Sequence, residues 1–207
     1  KYILAIDAGT TGITILLVNK QGKLEHKVYS EFKQYYPRPG WVEHDPDEIW
    51  NVTLGLIRNI LKKYKANEIE SIGITNQRET TIIWDKDSGK PIYNAIVWQC
   101  RRTSDYCETL KSQGLGDLFY DKTGLIIDSY FSGTKIKWIF DNVSGVRKKV
   151  EKGQLIFGTI DTWLVWNLSG KKYHITDYTN ASRTMIFNIN KKCWDKDLLE
   201  ILNIPRS

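Results

Sequence analysis

The sequence predicts an α/β fold in which a mixed sheet is flanked by helices. Three observations carry this prediction. The N-terminal part holds short apolar runs separated by polar turns, one amphipathic helix with its own cap follows, and a further continuous apolar run comes directly after that helix. Helical spacing then dominates beyond residue 100.

In chain order, "YILAI" is a short buried strand and "GITILLV" a second one. The second ends at "NKQGK", a hairpin turn containing Gly22. "LEHKVYSEF" alternates apolar and polar residues and makes a third strand, and "YYPRPGW" is a loop fixed by Pro37 and Pro39. Asp45 then caps a helix, with Pro46 in the first turn and Glu48 three residues after the cap, the pattern of a capping box. Ile49, Val52, Leu56, Ile57, Ile60 and Leu61 form the apolar face of that helix. "IESIGIT" reads as a continuous apolar strand, expected at the centre of a sheet. "TTIIWD" and "NAIVW" are strands separated by the turn "KDSGK". "RRTSDYCETLKS" and "SGTKIKWIFDNV" carry helical spacing, and "QLIFGTI" is a buried strand feeding a helix that begins near Asp161. No internal repeat, low-complexity segment or linker interrupts the chain, so residues 1–207 are read as one domain. Three strands, a helix and a strand follow the order of a ribonuclease-H-like unit, the fold of the actin, hexokinase and heat-shock chaperone ATPase superfamily.

Composition narrows the function. Of 207 residues, 41% are hydrophobic and 26% charged, the proportions of an ordinary globular protein. No apolar stretch reaches membrane-spanning length, since "LIFGTIDTWLVWNL" is broken by Asp161, and no signal peptide precedes Asp7. Cys100, Cys107 and Cys193 lack metal-ligand spacing, which points to free thiols in a reducing compartment and hence to the cytoplasm. The net charge is +6, but the lysines fall in scattered pairs with acidic residues between them. This favours a solvated surface over a nucleic-acid patch. The three histidines, His26, His44 and His174, are scattered and receive no catalytic role.

"DAGTTG" joins the first two strands. Glycines let a backbone approach a ligand, successive N–H groups form a concave anion site, and threonine hydroxyls add donors. Asp7 at the mouth can hold a hydrated Mg²⁺ near phosphate oxygens. The stretch is neither a P-loop, having no Lys-Ser/Thr pair, nor a dinucleotide fingerprint. On these six residues alone, an ordinary polar hairpin turn is the favoured reading.

Six longer stretches occur in order: "GWVEHDPDEIW", "GITNQRETTIIW", "AIVWQCRRT", "TGLIIDSYFSGTKIKWI", "FGTIDTWLVWNLSG" and "DYTNASRTMIFNI". Together they resemble the N-terminal domain of the FGGY carbohydrate kinase family, in the form of its glycerol-phosphorylating members, over essentially the whole chain. The resemblance implies transfer of the γ-phosphoryl of ATP to glycerol, with Mg²⁺ bridging the nucleotide phosphates and two domains closing over a cleft. It places the phosphate loop on Asp7, Gly9, Thr10, Thr11, Gly12 and Thr14, with Asp7 orienting the metal. Arg78 and Glu79 match the pair that grips the glycerol hydroxyls, Trp98 the aromatic packed on the glycerol carbons, and Tyr130 a further hydroxyl partner. The loop departs from the common pattern, which has Gln at Ala8, Ser at Gly12 and Arg at Thr14. The missing Arg removes a charge-assisted phosphate contact.

The same residues make chemical sense for a polyol. Glu79 only accepts hydrogen bonds and Arg78 only donates them, whereas each glycerol hydroxyl does both. Neighbours on a strand point to opposite faces, so both reach one ligand only if they lie in an irregular link between "GIT" and "TTIIW". Trp98 ends a buried strand, where sites of α/β proteins form. Taken singly, these residues also fit blander roles: a surface ion pair, a core Trp and a packing Tyr. "DYTNASR" reads as structural support rich in turn and cap formers.

The resemblance puts the catalytic base and the nucleotide domain beyond residue 207, as in an excised or truncated domain, so the isolated chain is expected to be inactive. The whole protein is expected to form a homo-oligomer and to bind glycerol and ATP rather than nucleic acid or membrane. The alternatives are a kinase for another polyol or sugar of the family, a non-catalytic ligand-binding module, or an actin-like ATPase. An ATPase of that kind has no use for Arg78, Glu79 and Trp98.

Overall fold

A computed structural model describes residues 1–206, with Ser207 outside the described residues. The chain divides into two compact units. The first comprises residues 1–34 and 44–77, and the second residues 35–43 and 78 onward.

The first unit is a four-stranded mixed sheet with one helix. Its strands are β1 (Tyr2–Ala8), β2 (Gly12–Asn19), β3 (Leu24–Glu31) and β5 (Ile69–Asn76), arranged β3-β2-β1-β5. The two-residue strand β4 (Glu43–His44) straddles the boundary between the units. β1 is antiparallel to β2 and parallel to β5, and β2 is antiparallel to β3. The connection between the parallel strands runs through helix α1 (Pro46–Leu61) and a 3-10 turn at Ala66–Glu68. This is the strand–helix order read from the sequence.

Alternation fixes which face is covered. Leu4, Ile6 and Ala8 of β1 and Ile13, Ile15 and Leu17 of β2 are buried. Their intervening neighbours Ala5, Thr14, Leu16 and Val18 are only half-buried. The helix α1 packs on β2 and β3 and buries Ile49, Leu56 and Ile60. Val52 and Ile57 lie at the margin and Leu61 is exposed, while Thr53 takes a buried position by donating its hydroxyl to the Ile49 carbonyl at 2.8 Å. Asp45 caps α1 as expected, accepting from the Asp47 amide. Glu48 does not close a capping box. Its carboxylate accepts instead from the Lys33 amide at 3.0 Å, which ties the end of the β3 segment to the helix start.

One expectation is corrected. "IESIGIT" forms β5, but at the edge of the sheet rather than its centre, with β1 as its one neighbouring strand among the described residues. Most of β5 is exposed, Ile72 at 48%. The apolar run is interrupted by Glu70, Ser71 and Gly73, which a strand covered on both faces would not carry.

The second unit pairs β6 (Ile82–Asp85) antiparallel with β8 (Leu155–Gly158), and β9 (Phe187–Asn188) with β10 (Cys193–Trp194). It also contains the two-residue strand β7 (Ala95–Ile96). Around these lie α2 (Ser104–Ser112), α3 (Gly116–Thr123), α4 (Ser132–Asn142), α5 (Val146–Glu151), α6 (Ile160–Leu168), α7 (Tyr178–Ala181) and α8 (Lys196–Ile201). Its core gathers Ile83, Phe119, Ile136, Ile139, Met185 and Leu198. The buried Arg102 guanidinium lies over the rings of Trp41 at 3.9 Å and Trp138 at 4.6 Å and pairs with Glu43 at 2.6 Å. That pairing and the ring contacts supply what a buried charge needs. Cys100, Cys107 and Cys193 are all free thiols.

Candidate active site

The candidate residues divide between the two units, and each group has its own supporting network. In the first unit, "DAGTTG" is the hairpin between β1 and β2. Asp7 pairs in register with Thr14, and Ala8 with Ile13. Gly9 closes the turn by donating its N–H to the Gly12 carbonyl at 3.0 Å, so that amide is committed to the hairpin. Gly12 is a glycine for lack of room. A Cβ there would lie 2.6 Å from the Ser30 carbonyl oxygen and 2.8 Å from the Tyr29 ring. Tyr29 pairs across from Thr14 on β3.

The turn is buttressed from beneath. Gln34 Nε2 donates to the Thr10 carbonyl at 3.0 Å, and Gln77 Nε2 to the Gly9 carbonyl at 3.2 Å. The Gln77 amide donates to the Ala8 carbonyl at 2.8 Å. His44, fully buried, links the two glutamines: its Nε2 lies 2.6 Å from Gln34 Oε1 and its Nδ1 3.2 Å from Gln77 Nε2. The glutamine amide can only donate to Nδ1, so Nε2 carries the proton and donates to Gln34. Burial pushes the His44 imidazole down to about 4, which keeps it in this neutral form. The sequence offered no sign of this role for His44.

Asp7, near the end of β1, is exposed, and its carboxylate has no hydrogen bond or ion pair among the described residues. A single free carboxylate beside hydroxyls suits a Mg²⁺ that keeps waters and binds phosphate oxygens. It does not suit a metal caged by protein, and no cluster of three His, Cys, Asp or Glu residues occurs among the described residues.

In the second unit, Arg78 and Glu79 lie in the irregular link before β6 that the sequence predicts. They do not pair with each other. Arg78 is exposed and its guanidinium has no partner among the described residues, whereas Glu79 is 2% exposed. Glu79 adopts φ 63°, in the left-handed region, and the Thr80 amide bonds back to the Arg78 carbonyl at 2.7 Å across it. That is the strained form of a γ-turn. The Glu79 carboxylate is held by Arg183, Nε to Oε1 at 2.6 Å.

Trp98 and Tyr130, both half-buried, lie ring to ring at 5.3 Å and 52°. The Arg183 guanidinium sits 5.7 Å from the Tyr130 ring and 4.9 Å from that of Phe131. The second unit therefore joins Glu79, Tyr130 and Trp98 through Arg183. This residue is hidden at sequence level in the run "DYTNASR", whose expected capping role also holds: Asp177 accepts from the Asn180 amide and starts α7. A carboxylate with one oxygen engaged, a free guanidinium and an aromatic pair offer acceptors, donors and apolar surface to a small polyhydroxylated ligand.

Comparisons with known proteins give the family of the chain and its fold. The chain is 58% identical over its whole length to glycerol kinase 2 of Thermotoga maritima, of which it spans 42%. Its fold superimposes with a TM-score of 0.90 on Plasmodium falciparum glycerol kinase determined with ADP, at 37% identity, covering 98% of this chain and 40% of that one. Xylulose kinase from Lactobacillus acidophilus matches at a TM-score of 0.88 and 25% identity, over 99% of this chain and 40% of that one. The likeness supports the actin-like ATPase fold read from the strand order. The model of the N-terminal domain of the FGGY family of carbohydrate kinases matches residues 2–207, and the chain belongs to that family.

Proposed function

We propose that this chain is the N-terminal domain of an ATP-dependent glycerol kinase, transferring the γ-phosphoryl of ATP to a terminal hydroxyl of glycerol. The chain spans less than half of the curated relative described above, which is a glycerol kinase, so the reading concerns a longer protein. The observation that carries it is the buried, Arg183-held Glu79 beside an unpaired Arg78. The Trp98–Tyr130 pair supports it.

In this reading Glu79 accepts from one glycerol hydroxyl and Arg78 donates to another, Trp98 packs on the carbons, and Tyr130 offers its hydroxyl. The backbone of the 9–12 turn and the hydroxyls of Thr10, Thr11 and Thr14 receive nucleotide phosphate, and Asp7 holds Mg²⁺. When bound, the metal neutralises phosphate charge during transfer. Phosphoryl transfer rests on positioning and electrostatics, which these residues supply. The group that takes the proton from the attacking hydroxyl belongs, in this reading, to the remainder of the protein. We assign the protein to the cytoplasm on its three unpaired thiols.

The test is steady-state kinetics of the full-length protein with glycerol, xylulose and other polyols. Glycerol is expected to have the highest kcat/KM, and Glu79→Ala to lower it by about a hundredfold or more. A higher value for another sugar, or an unchanged value in the variant, refutes the assignment.

A further inference from the structure

Glu79 holds a backbone conformation that a residue with a Cβ adopts only when its surroundings impose it. The imposing groups are visible. The Glu79 carbonyl receives three donors: Thr81 Oγ1 at 3.2 Å, Ser132 Oγ at 3.0 Å and Lys135 Nζ at 3.2 Å. Ser132 and Lys135 stand three residues apart in the first turn of α4, on one helix face. That turn is itself pinned, because the Gly133 amide donates to the Thr184 carbonyl at 2.7 Å, next to Arg183.

Lys135 does more than Ser132. Its ammonium nitrogen also donates to the Tyr130 carbonyl at 2.6 Å, while its side chain is wholly buried. One nitrogen thus binds the backbones of two residues assigned to the polyol, from segments more than fifty positions apart in the chain. We infer that Lys135 is the positioning residue of the polyol half-site, fixing Glu79 and Tyr130 relative to each other; this rests on the function proposed above.

Chemistry explains the choice of lysine. Its long stem lets one group on a helix reach two separate carbonyls. Burial lowers its affinity for a proton to a pKa of about 7, but even the neutral amine keeps two N–H groups, so both carbonyls are served in either state. Methionine matches the stem and offers no donor.

A double-mutant cycle in the full-length kinase tests this. Lys135→Met is expected to raise KM for glycerol about tenfold or more while KM for ATP changes less than about twofold. Combined with Glu79→Gln, its effect on kcat/KM for glycerol should shrink by about fivefold or more, because the two residues act as one unit. A merely structural lysine would raise KM for both substrates together, and its effect would add to that of Glu79→Gln; either result overturns the proposal. If Lys135→Met does not fold, Ser132→Ala, which removes one donor from the same carbonyl, is carried through the same cycle with the same criteria. A full-length enzyme that prefers another polyol refutes the glycerol assignment alone, and the cycle is then read with that polyol. An enzyme that phosphorylates no polyol refutes both.

Discussion

Glu79 pairs with Arg183, 104 residues further along the chain, and not with its neighbour Arg78. The buried carboxylate takes its charge partner from within the fold, and the adjacent guanidinium stays exposed.

Arg183→Leu should therefore strand a buried carboxylate. We expect a loss of about 2 kcal/mol in unfolding free energy, the scale for a charged group deprived of its partner, together with a raised KM for glycerol. Adding Glu79→Gln should restore much of the stability and none of the turnover. Chemical denaturation and kinetics on the same samples separate the two effects. Equal stability of Arg183→Leu and wild type would show that the pair does not hold the site.

Asp7→Asn should reduce kcat by about a hundredfold or more and flatten its dependence on Mg²⁺ concentration, with the melting temperature nearly unchanged. The exposed carboxylate has no partner among the described residues to lose, so folding has little stake in it. A large drop in melting temperature with normal Mg²⁺ dependence would assign Asp7 to the scaffold instead.

His44 predicts a specific acid sensitivity. Its folded pKa, about 4, lies below the ordinary 6.5, so the unfolded chain binds the extra proton between these values. Stability therefore falls as pH drops through that window and is fully retained above it. Between pH 6.5 and 5 the expected loss from this one group is about 1.5 kcal/mol. His44→Gln, which bonds without titrating, should lose less over the same interval. Urea midpoints at the two pH values measure the difference, and parallel curves for the two proteins would remove His44 from the account.

Gly12→Ser, the residue common in related phosphate loops, should destabilise this chain. The added Cβ meets both the Ser30 carbonyl and the Tyr29 ring, and overpacking of this kind costs about 1–3 kcal/mol. Tyr29→Ala should recover only the part due to the ring. Denaturation of the single and double variants decides this, and a neutral Gly12→Ser would mean that β3 yields without cost.

Local signals made much of the first unit legible. The strands, the Asp45 cap and the α1 face follow from periodicity and turn chemistry that act within a few residues. The irregular link at Arg78 and Glu79 was legible from the loop-like Asn76 and Gln77 that precede it. The roles of Arg183, Lys135 and His44 were not. Each acts on residues distant in sequence, and "SGTKIKWI" hides a buried lysine inside an ordinary amphipathic pattern. The edge position of β5 was obscured because isoleucines mark a strand without stating how many neighbours it has. Helices α3, α5 and α8 are short and weakly patterned, and packing rather than propensity supports such helices.

The sheet's two outer strands differ in how they meet solvent. β3 carries Glu25, Lys27 and Glu31 along its exposed side, charges that discourage another chain from adding to it. β5 carries only Glu70, and Ile72 stands half in water. Purified by itself at high concentration, this chain thus carries in the β5 edge of its four-stranded sheet a weakly guarded template for strand addition, with a short isoleucine-bearing segment free to recruit its like. Clumping of the isolated chain should begin there, and a lysine placed at position 72 should delay its onset in light scattering without altering the hairpin that holds Asp7.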